Sequence, residues 1–262
     1  MLTALTMTIA AGAVSVAQAA PDRALTPVEQ LRVDLGLPAS ADDGSAGADD
    51  APAIIRLAGD PDAMPESVNG YQWRFGDMFI ETALPDGYPR PTPPGVIEVK
   101  RYPSVRRAEV TGTDMRGASN RGFFPLFQHI TNNDIAMTAP VEMDLPGWSA
   151  VDDTDPESWT MSFLYRTRDL RETGTEGNVI IRDTEPVTVI AIGLSGAGSG
   201  AGYEPYLEKL EEFLADNDEW RAEGDPRWFG YNGPMTRPAL RWGEVQIPVA
   251  RIETTDEADK GE

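Results

Sequence analysis

From Phe123 the apolar residues Phe123, Leu126, Phe127 and Ile130 fall at i, i+3, i+4 and i+7, the spacing of one broad stripe on a helix. The surrounding run, Gly122 to Met143, reads GFFPLFQHITNNDIAMTAPVEM and holds three phenylalanines and the only histidine of the chain. His129 sits on the flank of the stripe, beside Leu126. A face this apolar has to be covered, either by the protein's own sheet or by a flat apolar ligand.

The pattern around that helix repeats. Val96-Ile97, five residues and then Pro103 are matched 83 residues later by Val179-Ile180, five residues and Pro186. Each opening reads as a strand, a turn and a second strand, VIEVKRYPSVRRAEV in the first case and VIIRDTEPVTVIAIGL in the second. A helix follows each, the first through Phe123 to Ile130, the second through Tyr206, Leu207, Leu210, Phe213 and Leu214. Each half then places a strand around a proline, Ala139-Pro140 or Gly233-Pro234, and ends on a closing strand, SWTMSFLYRT or ALRWGEVQIPV. The pattern predicts an α+β fold of two pseudo-symmetric strand-strand-helix-strand-strand repeats, neither of which buries its faces alone. The expected ligand site is a cleft between a helix and the sheet.

Before the repeats the pattern is weaker. Residues 21–94 read as a mostly flexible extension: a short helix opened by Thr26-Pro27-Val28-Glu29 and stopped at Gly36, then an acidic Gly/Ala/Ser-rich linker. Tyr71, Trp73 and Phe75 alternate with polar residues as an aromatic arm, and Pro85, Pro89, Pro91, Pro93 and Pro94 interrupt regular structure after it. The first 20 residues carry no charge and end in Ala17-Gln18-Ala19, the form of a secretory signal peptide, although no Lys or Arg precedes the apolar run. Export to the periplasm or the exterior is therefore expected, with an uncleaved membrane anchor as the alternative. Residues 251–262 read as an acidic disordered tail.

Composition narrows the chemistry. The chain has 262 residues, enough for one large domain or two small ones, and a formal net charge of -21. That surplus argues against nucleic acid and against anionic membrane surfaces as partners. No cysteine is present, which removes disulfides, thiolate nucleophiles, Cys-ligated zinc and covalent c-type haem attachment. One histidine and no Gly-x-Ser-x-Gly elbow leave serine-hydrolase chemistry without its parts. Gly196 to Ala201 fits G-x-G-x-x-A, but no parallel strand unit follows it, and a flexible connection is the simpler reading. Asp152, Asp153, Asp155 and Glu157 lack the glycine and the late glutamate of a calcium loop and read as a solvated connection. One stretch runs against the acidic trend: Glu98 to Arg121 holds six basic and three acidic residues, and Arg121 directly precedes the phenylalanine helix. Arg237 takes the corresponding turn of the second half, after Pro234-Met235. An apolar stripe flanked by arginines suits a flat apolar ligand with carboxylates.

At these residues the sequence resembles the SOUL haem-binding protein family. Gly122, Phe123, Leu126 and Phe127, followed by Ile135, Met137, Thr138, Pro140 and Val141, are similar to that family's helix-and-strand signature. VIEVKRYPSVRRAEV resembles its opening hairpin and FGYNGPMTRPALRWGEVQIPV its last turn and strand, so the likeness spans about residues 95–250. Two departures are visible: His129 stands where the family commonly has an aromatic residue, and the loop at Asn132-Asn133 is short and lacks the usual glycine.

The resemblance implies a distorted antiparallel β-barrel flanked by two helices, of the gyrase-inhibitor-like kind. It implies non-covalent binding of haem or another porphyrin beside the first helix, without catalysis. On that expectation the ring rests on Phe123, Phe124, Phe127 and Ile130 with Met137 and Met235 nearby, Arg121 or Arg237 meets the propionates, and His129 is the candidate iron ligand. Two other readings are carried forward. One is a sensor or carrier of an apolar cation; the other is a tetrapyrrole-processing enzyme with His129 as proton donor.

Overall fold

The computed structural model describes residues 54–197 and 202–252; the signal segment, the expected helix before Gly36, the rest of the Gly196–Ala201 loop and nearly all of the tail lie outside the described residues. The strands are β1 (Ile54–Ala58), β2 (Glu66–Val68), β3 (Gln72–Phe75), β4 (Met78–Ile80), β5 (Ile97–Tyr102), β6 (Arg106–Gly112), β7 (Val141–Asp144), β8 (Trp159–Leu164), β9 (Gly174–Glu176), β10 (Val179–Asp183), β11 (Val187–Ser195), β12 (Trp220–Ala222), β13 (Arg227–Gly230) and β14 (Trp242–Arg251). Two helices join them, α1 (Ala118–Asn132) between β6 and β7 and α2 (Glu204–Ala215) between β11 and β12.

All four expected strands form, but neither opening closes as a hairpin. β5 pairs with β11, and β6 pairs with β10, so each repeat lends its first strand to the other. The crossing happens at the two corners, where Pro103 and Pro186 have no N–H to continue a ladder. The corners also hold each other: Val105 N–H donates to Thr184 Oγ1 at 3.0 Å, and Thr184 N–H donates to the Val105 carbonyl at 2.8 Å.

The resulting order is β1-β5-β11-β14-β13-β7-β8-β6-β10-β9, with β12 added to β14. Exchanging β5 with β10, β6 with β11, β7 with β13 and β8 with β14 reverses the inner eight strands onto themselves, so the repeat read from the sequence is an approximate twofold of the sheet. The centre of that symmetry is the β7–β13 ladder, Val141 opposite Gly230 and Asp144 opposite Arg227. The sheet is antiparallel and open. The expected barrel does not close, because the outer ladder of β5 is taken by β1 and that of β10 by β9.

Alternation divides the sheet into two unlike faces. The first is apolar: Ala108, Val110, Met143, Met161, Phe163, Val179 and Ile181 form one core with Leu126 and Ile130 of α1. Gly122 lets α1 lie this close, since a Cβ there would stand 2.8 Å from Met161 Cβ. α2 covers the other half of the same face, burying Leu207 and Leu210 over β11 and β14.

The second face carries buried charge. Arg107 pairs with Glu109, Glu142 and Asp144, Arg227 with Glu142, and Lys100 with Glu244. Beside them Tyr102, Phe229, Tyr231 and Trp242 pack against Met78, Ile80 and Leu84 from the segment before the repeats. That segment, within the extension expected over 21–94, supplies β1 at the sheet edge and the small β2-β3-β4 sheet. Its prolines reach the core as well: Thr92 N–H donates to Glu244 Oε1 at 2.6 Å, and Trp242 Nε1–H donates to the Thr92 carbonyl at 2.7 Å.

Candidate functional site

A cleft of about 500 Å³ opens on the helix-covered face, over the central strands and between α1 and the start of α2. Its floor is Val141, Met161 and Gly230. Gly230 faces Val141 across the ladder, and its missing side chain keeps the floor low beside the Trp228 ring.

One wall is α1. The helix starts after Gly117, whose φ of 67° is a left-handed conformation suited to glycine, and it carries Pro125 inside, which has no N–H for the Arg121 carbonyl. The apolar stripe splits along its length. Leu126 and Ile130 turn down into the core, whereas Phe124 is 66% exposed and Phe127 48% exposed, and both line the cleft with Phe123. Phe123 and Phe127 stack with centroids 5.7 Å apart, and Phe123 meets the edge of Phe163 at 5.2 Å, which fixes the wall on the sheet.

The opposite wall is also aromatic. Trp228 stacks on Tyr203, the residue before α2, at 4.5 Å and 12°. Tyr231 and Trp242, whose rings belong to the second-face cluster, border the cleft beyond it. The Tyr231 hydroxyl donates to Glu244 Oε1 at 2.7 Å, so the wall is anchored on the buried charge of the second face. Burial works against ionised Glu244, but Lys100 at 2.9 Å and the Thr92 N–H outweigh it and hold the carboxyl below its usual range.

Charge in the cleft is confined to one group. Among the described residues Arg241 is the only charged residue in the lining, and no described Asp or Glu is present there. Its Nε–H donates to the Thr236 carbonyl at 2.9 Å and an Nη2 hydrogen to the Pro234 carbonyl at 2.7 Å, so the guanidinium is held by backbone and neutralised by no carboxylate. Sequence reasoning missed it in favour of Arg237. A single 3-10 turn, Pro238–Leu240, separates the two, and it leaves Arg237 exposed outside the lining while Arg241 enters it. Its one signal was its position directly before the buried Trp242 of the closing strand.

The structure brings together four of the expected residues, Phe123, Phe124, Phe127 and Met137, and leaves the rest outside the lining. Ile130 is a core residue. Met235 is 95% exposed. Arg121 is tied to the Asp114 carboxylate at 3.2 Å and to the carbonyls of Asp114 and Arg116.

His129 is 5% exposed and lies on the core side of α1. Its Nε2 is 2.7 Å from the Tyr165 hydroxyl and its Nδ1 is 3.0 Å from Glu176 Oε2, so both ring nitrogens have protein partners. Burial pushes the Tyr165 hydroxyl up to about 12, and the hydrogen bond from Arg171 holds Glu176 below the usual carboxylate range. Among the described residues no group of three or more His, Cys, Asp or Glu is placed to hold a metal ion, and no helix is long and apolar enough to cross a membrane.

Two further motifs are settled by geometry. β11, which leads into Gly196, runs antiparallel to both its neighbours, so no βαβ unit surrounds the glycine run. Asp152, Asp153 and Asp155 are exposed on their connection.

A tetrapyrrole fits the aromatic walls and low floor by size and chemistry, since drug-sized sites run about 300–1,000 Å³. Arg241 suits one carboxylate at the edge. The lining offers no imidazole, only the thioethers of Met137 and Met161.

Among solved structures the chain is similar to the EcmrR C-terminal domain, at 14% identity over 60% of this chain and 98% of that one, with a TM-score of 0.48. It spans 57% of the EcmrR chain seen in a complex with DNA, at 14% identity and a TM-score of 0.49. A hydrolase from Listeria innocua matches at 13% identity over 62% of this chain and 94% of that one, with a TM-score of 0.41. These likenesses are too distant to bear on function. No curated protein matches the chain. The sequence profile of the SOUL heme-binding protein family matches residues 91–248, which span both repeats, α1 and the whole floor of the cleft. The chain belongs to the SOUL heme-binding protein family.

Proposed function

We propose that this protein binds haem or a related tetrapyrrole in the cleft beside α1 and acts by carrying or buffering it outside the cytoplasm. The observation that carries the reading is the half-open phenylalanine face: Phe124 and Phe127 stay exposed and Phe123 half-buried on a helix whose Leu126 and Ile130 are buried. Covering such a side chain contributes about 1.5–3 kcal/mol, so the two together supply a large part of a micromolar affinity. The macrocycle lies between the α1 phenylalanines and Trp228, held by apolar contact. When bound, haem would supply its iron chemistry itself, and this chain's residues bind and orient the ring.

The cleft's charge favours an anionic ligand over an apolar cation, because its lining holds Arg241 and no acid. His129 is occupied by Tyr165 and Glu176 on the far side of α1, which lends no support to iron ligation or proton donation by that imidazole. Export rests on the uncharged, small-residue first 20 positions, and sequencing the N-terminus of protein recovered from the periplasm or medium tests it. Titration with haemin tests binding: a saturable Soret shift at one equivalent is expected. A shift no larger than that given by an inert acidic protein contradicts the reading.

A further inference from the structure

We infer that the cleft recognises one carboxylate of its ligand through Arg241, so that its ligand class is apolar flat rings bearing at least one carboxylate. This deepens the tetrapyrrole reading and rests on it. Three observations point the same way. Among the described residues Arg241 is the only charged side chain in the lining, in a chain whose net charge is -21. Most arginines near the sheet are already matched with carboxylates, Arg56 and Arg90 with Glu98, Arg106 with Asp183 and Arg227 with Glu142, whereas Arg241 is held only by carbonyls of the Pro234–Thr236 turn. Those two carbonyls take Nε and Nη2, and a guanidinium has five N–H donors in a planar fork, so a carboxylate can still be met by Nη1. With the charge balanced nowhere else, an anionic ligand completes it.

The count matters as much as the sign. A single cation reads a single carboxylate, and a second one on the same ring goes to solvent.

The test is a fluorescence titration of the full chain with three metal-free rings in one buffer: protoporphyrin IX with two carboxylates, a chlorin with one, and the dimethyl ester of protoporphyrin IX with none. The diacid and the monoacid should bind within about threefold of each other, and the ester at least tenfold more weakly. In Arg241→Gln the acid should fall to the affinity of the ester, which itself changes little; Arg241→Lys should recover part of the loss. Equal binding of acid and ester to the wild-type protein overturns the assignment while leaving the tetrapyrrole reading in place. A monoacid as weak as the ester overturns the single-carboxylate count. Failure of all three rings to bind removes both the assignment and the reading under it.

Discussion

α1 and α2 occupy equivalent places on a sheet whose inner eight strands map onto themselves when their order is reversed, yet they expose opposite chemistry. Both pin themselves to the apolar face in the same way, α1 by Leu126 and Ile130, α2 by Leu207 and Leu210. Above that line α1 presents Phe124 and Phe127, whereas α2 presents Glu204, Glu208 and Glu212. The symmetric part of the molecule is the part that folds it, and the asymmetric part is the part that lines the cleft. α2 serves the site indirectly, through Tyr203 stacked behind Trp228.

The shared part should respond alike in both halves. Leu126→Ala and Leu210→Ala each remove a fully buried side chain and should each destabilise the fold by about 2–5 kcal/mol in chemical denaturation. A large loss in one half with none in the other breaks the equivalence. The unshared part should respond in one half alone. Phe124→Glu combined with Phe127→Glu should weaken haemin binding about a hundredfold with the fold retained, since both side chains are exposed. Glu208→Gln with Glu212→Gln on α2 should leave the same titration unchanged.

His129 sharpens the comparison from inside α1. His129→Ala leaves the Tyr165 hydroxyl without its imidazole partner and should cost about 1–3 kcal/mol of stability, with the Soret position of bound haem unaltered. A displaced Soret band returns the imidazole to the iron.

The smallest effect concerns Asp183 on β10, held down to about 2 chiefly by the hydrogen bond from Arg106 of the neighbouring β6. A depressed folded-state value means stability that is present above the ordinary aspartate range and lost as pH falls toward 2. Solvent screening keeps it under about 1 kcal/mol. Asp183→Asn should therefore lower stability slightly at pH 7 and not at pH 2, as read by urea midpoints.

Much of the scaffold was legible in the chain because it is local: the 3.6-residue spacing of α1, the alternating strands, and a repeat marked by Pro103 and Pro186. The pairing was not. Proline corners look like hairpin turns in sequence, and it takes the β5–β11 and β6–β10 ladders, with Val105 meeting Thr184 79 residues away, to show that the strands are exchanged. In the site, periodicity found the phenylalanines but could not say which flank of a broad stripe faces solvent. His129 fell on the buried flank with Leu126, and Phe124, outside the stripe, fell in the cleft. Arg241 replaced Arg237 because one short 3-10 turn decides which arginine points inward, a choice of a few residues that apolar spacing does not encode.

The most direct measurement is a crystal structure of the protein with haem bound. The ring should lie against Phe123, Phe124 and Phe127, with one carboxylate within hydrogen-bond reach of Arg241 and no bond from His129 to iron. Ring density on the charged second face of the sheet, or iron bonded to the imbedded His129 imidazole, would contradict the account.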